Sequence, residues 1–307
     1  MASYRLTDNE VTDFAMAAND YVQLESPYTE ILPIKRIKDC YVHKWYVGTE
    51  VRAPLSSKDG RSSEDVRMAR TEGEANVTSF VHTFEIPRVE VTMAQNAGVP
   101  IWSENIGAAI RKMNATVSHL IFRGNSAWDK VDITGMYGGG TATTVDLTAV
   151  LWNTATSPII HVASAYTDLT AAGYAGPFNW ALGSACRGGM TVKYGAGDPA
   201  AIELLGPYEI PKENVKFYHQ QADGVAETQM NLSPMGMPPT GGDDFMWFVY
   251  KKDPNYAYLA EVMPITTTIN PELDFRRQCY HGRVEWRGTV AIVQSTSINY
   301  EHQGDLA

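Results

Sequence analysis

The segment from residue 50 to residue 74 carries five basic and six acidic side chains, a far higher density than the 20% charged residues of the whole chain. Its centre, Ser56-Ser57-Lys58-Asp59-Gly60, contains the Asp-Gly pair that is typical of a tight turn. Charges of both signs alternate along the segment. Any fold for this chain must therefore place a long, polar, turn-containing segment at its surface.

Strand patterns lie on both sides of this charged segment. Residues Tyr41 to Val47 and Val77 to Ile86 alternate and are rich in β-branched and aromatic side chains. Together they predict a long two-stranded projection, which is only marginally stable by itself. We expect it to lie on another subunit, where mixed charges set the docking register; a mobile solvated loop is the alternative. The side chains expected to make these contacts are Arg52, Lys58, Asp59, Arg61, Glu64, Asp65, Arg67 and Arg70.

The first thirty residues contain one basic and six acidic side chains and few grouped large apolar ones. This composition is typical of an extended arm, with one short helix expected near residues 8–18. Such an arm needs a neighbour to hold it in place.

The clearest helix pattern covers residues 104–122. Ser103 occupies the N-cap position, and Arg123-Gly124 closes the helix with a cation and a C′ glycine. One apolar stripe is predicted to face a sheet, while Arg111, Lys112 and Asn114 face away. The stripe consists of Ile106, Ile110, Met113, Val117, Leu120 and Ile121.

Helices and strands alternate after a loop that runs from Gly124 to Gly140 and ends in three glycines, which we interpret as a flexible joint. Capping side chains predict short helices near 146–152, 167–172 and 198–206. Strands are predicted at 215–218, 245–250 and 256–262, with Asp253-Pro254-Asn255 joining the last two as a hairpin, and over 280–298. A sheet with segregated helices indicates the α+β class.

Composition excludes several classes of protein. With 307 residues, of which 44% are hydrophobic, the chain is long enough for a sizeable core. Its net charge of −10 disfavours tight nucleic-acid binding. Cys40, Cys186 and Cys279 are widely spaced, which argues against a disulfide framework and a zinc site. The sequence shows neither a secretion signal nor a membrane-length apolar run, so we expect a soluble protein made in the cytosol.

No catalytic, cofactor-binding or metal-binding residues are predicted. Gly138-Gly139-Gly140 lacks the Lys-Ser/Thr partner of a phosphate loop, and the seven histidines have no metal-ligand spacing. The adjacent carboxylates Glu64-Asp65 and Asp243-Asp244 are more typical of solvated turns. An unrecognised α+β enzyme is one remaining alternative.

Three stretches carry a family resemblance. They are residues 84–90, Leu120 to Gly124 with Ile133 to Met136, and Tyr280 to Ile292. With the order of arm, charged hairpin, long helix, α/β region and returning strands, the chain resembles the Hong Kong 97-type major capsid proteins of tailed double-stranded DNA viruses. The likeness covers nearly the whole chain as architecture.

This resemblance implies a definite organisation. The expected parts are an N-terminal arm and first strand (1–46), an extended loop (47–84), a peripheral domain with the spine helix (85–146), an axial domain (147–265) and a return to the peripheral domain (266–307). Hexamers and pentamers would build an icosahedral shell around the DNA without sequence-specific binding. The subunit would assemble in the host cytoplasm and reside in the virion capsid.

The resemblance also extends to encapsulins, whose shells enclose cargo enzymes and share the fold. Scaffolding, portal and cement proteins are further partners that a virus capsid would imply. The acidic, weakly apolar N-terminus favours the capsid arm over the cargo-binding helix of an encapsulin.

Overall fold

The computed structural model describes residues 28–50, 68–97, 102–124, 133–142, 157–183, 190, 199–218, 245–270 and 272–303. The helices predicted near 8–18 and 146–152 and the turn at 56–60 lie outside these residues. Within the described part of the chain, no helix has both the length and the apolar character needed to cross a membrane.

The described helices are α1 (Tyr28–Ile31), α2 (Arg88–Ala97), α3 (Trp102–Arg123), α4 (Met136–Gly139) and α5 (Ser157–Ala171). The strands are β1 (Ile34–Arg36), β2 (Val42–Glu50), β3 (Met68–Asn76), β4 (Thr78–Pro87), β5 (Thr141–Ala142), β6 (Asn179–Gly183), β7 (Val215–Tyr218), β8 (Phe245–Tyr250), β9 (Ala257–Ile269), β10 (Cys279–Ile292) and β11 (Ile298–Gln303). Short 3₁₀ turns cover Ala201–Leu204, Gly206–Tyr208, Lys212–Asn214 and Ser295–Ser297.

The first sheet has the strand order β1-β9-β10-β4. β10 pairs antiparallel with both β9 and β4, and β1 adds to β9 in parallel. Along β4 the side chains alternate between more and less exposed positions, as a strand with one face on a core requires. Phe80 of β4 lies opposite Trp286 of β10, and the two rings stack with centroids 6.0 Å apart. This aromatic pair fixes the register at the centre of the sheet.

Helix α3 confirms the amphipathic pattern and is slightly longer than the predicted 104–122. All six residues of the predicted stripe are fully buried. Asn114, expected to face away, is also buried at 2% exposure. The buried face is wider than predicted because α3 packs against both sheets: Phe122 contacts Tyr218 and Phe248 of the second sheet at centroid distances of 5.0 and 5.3 Å.

The end of α3 explains the second of the three stretches that carry the resemblance, the one formed by Leu120 to Gly124 with Ile133 to Met136. Gly124 has a φ of +75°, which only glycine adopts readily, and it forms a β-bridge with Thr134. A Cβ on Gly124 would overlap the carbonyl oxygen of Ile133, and one on Gly135 would overlap the backbone of Gly124. The two segments therefore approach so closely that neither glycine tolerates a side chain.

The second sheet has the order β5-β11-β8-β6-β7 and its own apolar core. Helix α5 covers it through Val162, Ala165 and Leu169, which are fully buried with Trp180 and Trp247. Among the described strands, the polypeptide passes between the two sheets three times: between β4 and β5, after β8 and after β10. One hydrophobic cluster around α3 thus includes side chains of both sheets, and a second cluster lies between the second sheet and α5.

The predicted start of the helix at Thr167 or Asp168 is wrong. Helix α5 begins at Ser157, and Pro158 lies in its first turn, where the missing N–H does no harm. Thr167 and Thr170 lie inside the helix and donate their hydroxyls to the carbonyls of Ala163 and Tyr166. Nor does one helix form over 198–206; the described residues there adopt two separate 3₁₀ turns.

The predicted hairpin of residues 245–250 and 256–262 is also wrong. β8 pairs with β6 and β11, whereas β9 pairs with β1 and β10 in the other sheet. Residues Trp247 to Tyr250 and Ala257 to Glu261 are all buried. Continuous burial is typical of a central strand, which has a neighbour on each side. β8 and β9 are central strands of different sheets, so the turn at 253–255 connects the two sheets.

The three glycines at 138–140 are not a flexible joint. Gly138 and Gly139 belong to the helical turn α4, and the N–H of Gly140 donates to the carbonyl of Met136 at 2.8 Å. A Cβ on Gly139 would overlap the side chain of Ile292. The absence of side chains allows this turn to pack closely on the end of β10.

Candidate assembly surface

Strands β2 and β3 form a two-stranded sheet in which nine residue pairs run from Val42–Asn76 to Glu50–Met68. Among the described residues, neither strand pairs with a third. We call this element, residues 42–50 and 68–76, the projecting hairpin. The sequence predicted a two-stranded projection here, but it paired Tyr41–Val47 with Val77–Ile86. That second segment instead forms β4, which pairs with β10 and packs its apolar side chains in the first sheet.

Charges of both signs meet on the projecting hairpin. The Lys44 ammonium lies 2.7 Å from Glu72 and 3.5 Å from Glu74, on the opposite strand. The hydrogen bond and charge of Glu72 raise the pKa of Lys44, and Glu74 adds to the effect. All three side chains are largely exposed, so the pairs define the register more than they add stability.

The base of the projecting hairpin is fixed to the body by Arg287 of β10. Its guanidinium forms an ion pair with Asp39 at 2.6 Å and donates to the carbonyl of Cys40 at 3.2 Å. It also lies 5.8 Å from the centroid of the Tyr41 ring. One side chain of the first sheet therefore positions the residues that enter β2.

A second attachment involves β2 itself. His43 Nε2 lies 2.8 Å from the Tyr258 hydroxyl, and Trp45 packs on the small cluster of Tyr258 and Ala260. Burial lowers the pKa of His43, with a further contribution from the Lys35 ammonium, and burial raises the pKa of Tyr258. His43 is therefore neutral near pH 7, which suits a hydrogen bond to a phenol.

The projecting hairpin and the residue that precedes it expose large side chains. Tyr41 is 85% and Tyr46 64% exposed, and Val42 is exposed between them in sequence. Tyrosine is common at protein interfaces because its ring buries well while its hydroxyl stays hydrogen-bonded. These residues form a candidate docking surface on the projecting hairpin.

The predicted contact residues Arg52, Lys58, Asp59, Arg61, Glu64, Asp65 and Arg67 lie outside the described residues. Arg70 lies on β3, where its backbone is opposite Gly48. The role assigned to these eight side chains thus stays a prediction.

The segment entering β1 is held by the body of the same chain. Tyr28, Ile31 and Leu32 are buried, and the Tyr250 hydroxyl donates to the carbonyl of Ile31 at 2.9 Å. Lys216 forms an ion pair with Glu30 at 3.1 Å. The expectation that residues 1–30 need a neighbour is therefore wrong for residues 28–30, while residues 1–27 lie outside the described part.

A buried carboxylate links this segment to the first sheet. Glu261 of β9 is fully buried, and its Oε1 accepts hydrogen bonds from Tyr28 Oη at 3.2 Å and Trp286 Nε1 at 2.9 Å. Its Oε2 lies 3.0 Å from Arg36 Nη1. Sequence reasoning missed this site, although one signal was present: Glu261 interrupts the apolar strand pattern of 256–262.

A surface pocket of about 450 Å³ lies beside the second sheet, lined by residues 175–177, 206 and 209–211. Among the described residues that line it, the one titratable side chain is Glu209, which accepts a hydrogen bond from the backbone N–H of Gly176 at 2.6 Å. An active site needs several titratable groups that converge on a substrate. This pocket therefore gives no support to the enzyme alternative.

Comparison with known proteins identifies the architecture. No family model and no curated protein matches the chain. Solved structures do match: the capsid of an empty GTA particle (TM-score 0.59, 12% identity, 91% of this chain and 90% of that chain) and the virus-like particle of Pyrococcus furiosus (TM-score 0.56, 14% identity, 94% and 98%).

A third similar structure is that of Gordonia phage Cozz, with a TM-score of 0.56, 14% identity and coverage of 92% of this chain and 87% of that chain. Each of these likenesses covers more than nine-tenths of this chain. At identities this low they establish architecture alone. The α+β structure of this chain is the Hong Kong 97-type capsid fold.

Proposed function

We propose that this chain is the shell-building subunit of a virus capsid, which assembles with copies of itself around double-stranded DNA. The observation that carries the proposal is the projecting hairpin, a two-stranded sheet that follows the exposed Tyr41, exposes Tyr46 and joins no larger sheet within the described residues. Such an element is poorly stable alone and is stabilised by docking on a neighbour.

Within this proposal the chain divides into the parts that the sequence suggested: an arm (1–46), an extended loop (47–84), a peripheral domain (85–146), an axial domain (147–265) and the returning segment (266–307). The loop projects as β2 and β3, while β4 returns to the first sheet. Arg52, Lys58, Asp59, Arg61, Glu64, Asp65, Arg67 and Arg70 would contact the neighbouring subunit through charge complementarity.

The proposal assigns no cofactor and no catalytic step to the subunit. Its partners are its own copies in hexamers and pentamers, with scaffolding, portal and cement proteins as further candidates for a virion. The acidic net charge of −10 is compatible with a wall that confines DNA without binding it tightly.

The first test is to purify the expressed chain and examine it by negative-stain microscopy. Closed shells, tubes or isolated hexamers and pentamers would support the proposal. A monodisperse monomer at high protein concentration would contradict it. The contents of any shells separate the two container functions, because a virus capsid encloses nucleic acid and an encapsulin encloses protein cargo.

The second test removes residues 50–74 and closes the gap with a short Gly-Ser link. We expect a folded chain that no longer forms shells, since the main body of both sheets remains. Circular dichroism and the unfolding midpoint provide the control for folding, and microscopy provides the readout for assembly. Closed shells from the shortened chain would show that the loop is not an assembly element.

A further inference from the structure

The register of β4 and β10 places four metal-binding residue types on one face of the first sheet. Cys279 and His281 are two residues apart on β10, so their side chains point to the same side. Glu85 of β4 is directly opposite His281, and Asp274 forms a β-bridge with Cys279 across a tight turn. Directly opposite residues share a face. Backbone pairing alone therefore brings these four side chains together.

The distances between the donor atoms agree with tetrahedral coordination. Cys279 Sγ lies 3.7 Å from His281 Nε2, and Glu85 Oε1 lies 3.6 Å from Nδ1 of the same ring. A tetrahedral Zn²⁺ with ordinary bond lengths separates sulfur from nitrogen by about 3.6 Å and nitrogen from oxygen by about 3.4 Å. The donor atoms of Glu85, Cys279 and His281 all lie within 4.8 Å of one another, so these three side chains are spaced to bind one ion.

The surroundings orient two of the four side chains. Asp274 Oδ1 accepts hydrogen bonds from the backbone N–H groups of Arg276 and Arg277, at 2.8 and 3.3 Å, while Oδ2 faces the histidine. Glu85 Oε1 lies 3.6 Å from His281 Nδ1, whereas Asp274 Oδ2 lies 3.2 Å from the other ring nitrogen, Nε2. A carboxylate behind the second nitrogen is the usual means of orienting a metal-bound histidine.

We propose that Glu85, Cys279 and His281 bind a divalent transition-metal ion of the zinc class, with Asp274 as the residue that positions the imidazole. Sulfur, nitrogen and carboxylate oxygen together select Zn²⁺ or Co²⁺ over Mg²⁺ and Ca²⁺, which take oxygen ligands. Asp274 is assigned the positioning role because its Oδ2 lies 3.2 Å from His281 Nε2 while its Oδ1 is held by two backbone N–H groups. His281 and Asp274 are partly exposed, so water can complete the coordination.

Such an ion would join β4, β10 and the turn at 274–279 beside the small apolar cluster of Ile86, Val91, Leu273 and Tyr280. It would therefore act as a structural clip at one end of the first sheet. Sequence reasoning expected no metal site because the Cys-x-His pair is short and its carboxylate partners come from elsewhere in the chain. This inference does not depend on the proposed capsid function.

The test uses the full chain, with any affinity tag removed and metal stripped by a chelator, titrated with Co²⁺. The expected result is one equivalent bound per chain, with a thiolate-to-cobalt charge-transfer band in the near ultraviolet and tetrahedral visible absorption. Cys279→Ser should abolish the charge-transfer band. His281→Ala and Glu85→Gln should each weaken binding by at least about tenfold, and Asp274→Asn by about 10- to 100-fold, the usual range for residues that orient a ligand.

The matched control is the double variant Cys40→Ser with Cys186→Ser, which leaves Cys279 as the only thiol of the three in the chain. It should retain the band and the stoichiometry. Competition with a zinc chelator and a zinc-dependent rise in the unfolding midpoint give independent readouts for variants whose folding is confirmed by circular dichroism. A wild-type chain with no thiolate band, or a Cys279→Ser variant that binds like wild type, would leave only a hydrogen-bonded ion-pair cluster and overturn the proposal.

Discussion

The projecting hairpin and the first sheet are built from similar strand patterns but reach stability in different ways. β4 and β10 pair over ten residues, and their inner side chains pack against α3. β2 and β3 pair over nine residues, yet Tyr41 and Tyr46 remain exposed. The comparison separates side chains that stabilise the monomer from side chains available to a neighbour.

The largest effect on monomer stability is expected from Trp286→Ala in β10. This change removes a fully buried ring stacked on Phe80 and leaves Glu261 without one of its hydrogen-bond donors. We expect a loss of about 3–5 kcal/mol in the free energy of unfolding, the range for large aromatic truncations in a core. Equilibrium denaturation in urea measures it, and a loss below about 1 kcal/mol would contradict the assignment of this ring to the core.

Glu261→Gln tests the buried carboxylate at the junction of the sheet and the N-terminal segment. The amide keeps the volume but removes the charge that pairs with Arg36 and accepts from Tyr28 and Trp286. Hydrogen bonds to a charged group contribute about 1.5–3 kcal/mol each, so we expect a loss of roughly that size in total after repacking. The exposed pair of Lys44 and Glu72 supplies the control, because Glu72→Gln should change stability by less than about 1 kcal/mol.

The sequence predicted regular elements well where a single periodicity dominated. Helix α3 follows from its apolar stripe, and β7 and β8 follow from short apolar runs. The pairing of strands was predicted poorly. The sequence paired β2 with the segment that forms β4, because the charged composition of residues 68–76 did not indicate a strand there. Sequence reasoning also failed to bring Glu85, Asp274 and His281 together, because their proximity depends on strand register rather than on spacing along the chain.

Acidification should weaken the first sheet through His82. Its Nε2 lies 3.2 Å from Thr116 Oγ1 of α3, and burial followed by the charge of Lys112 lowers its pKa below 6.5. As the pH falls below about 6.5, the unfolded chain takes up a proton that the folded chain resists, so the free energy of unfolding decreases. His82→Gln should flatten the stability profile between about pH 7 and pH 5. An unchanged slope in urea unfolding at these pH values would show that other groups dominate.

The smallest effect on the monomer, and the sharpest test of the comparison, is expected from Tyr46→Ala. Tyr46 is 64% exposed, so its removal should change the free energy of unfolding by less than about 0.5 kcal/mol. If the projecting hairpin docks on a neighbouring copy, the same change removes an aromatic contact that typically contributes about 2 kcal/mol or more at an interface centre. The concentration needed for assembly, measured by light scattering, should then rise by about tenfold or more, since about 1.4 kcal/mol corresponds to a factor of ten.

Phe275→Ala, at the equally exposed Phe275 outside the hairpin, is the matched variant. Equal assembly by Tyr46→Ala and wild type would mean that this ring lies outside any interface. The contrast between the projecting hairpin and the first sheet would then depend on Tyr41 and the charged residues alone.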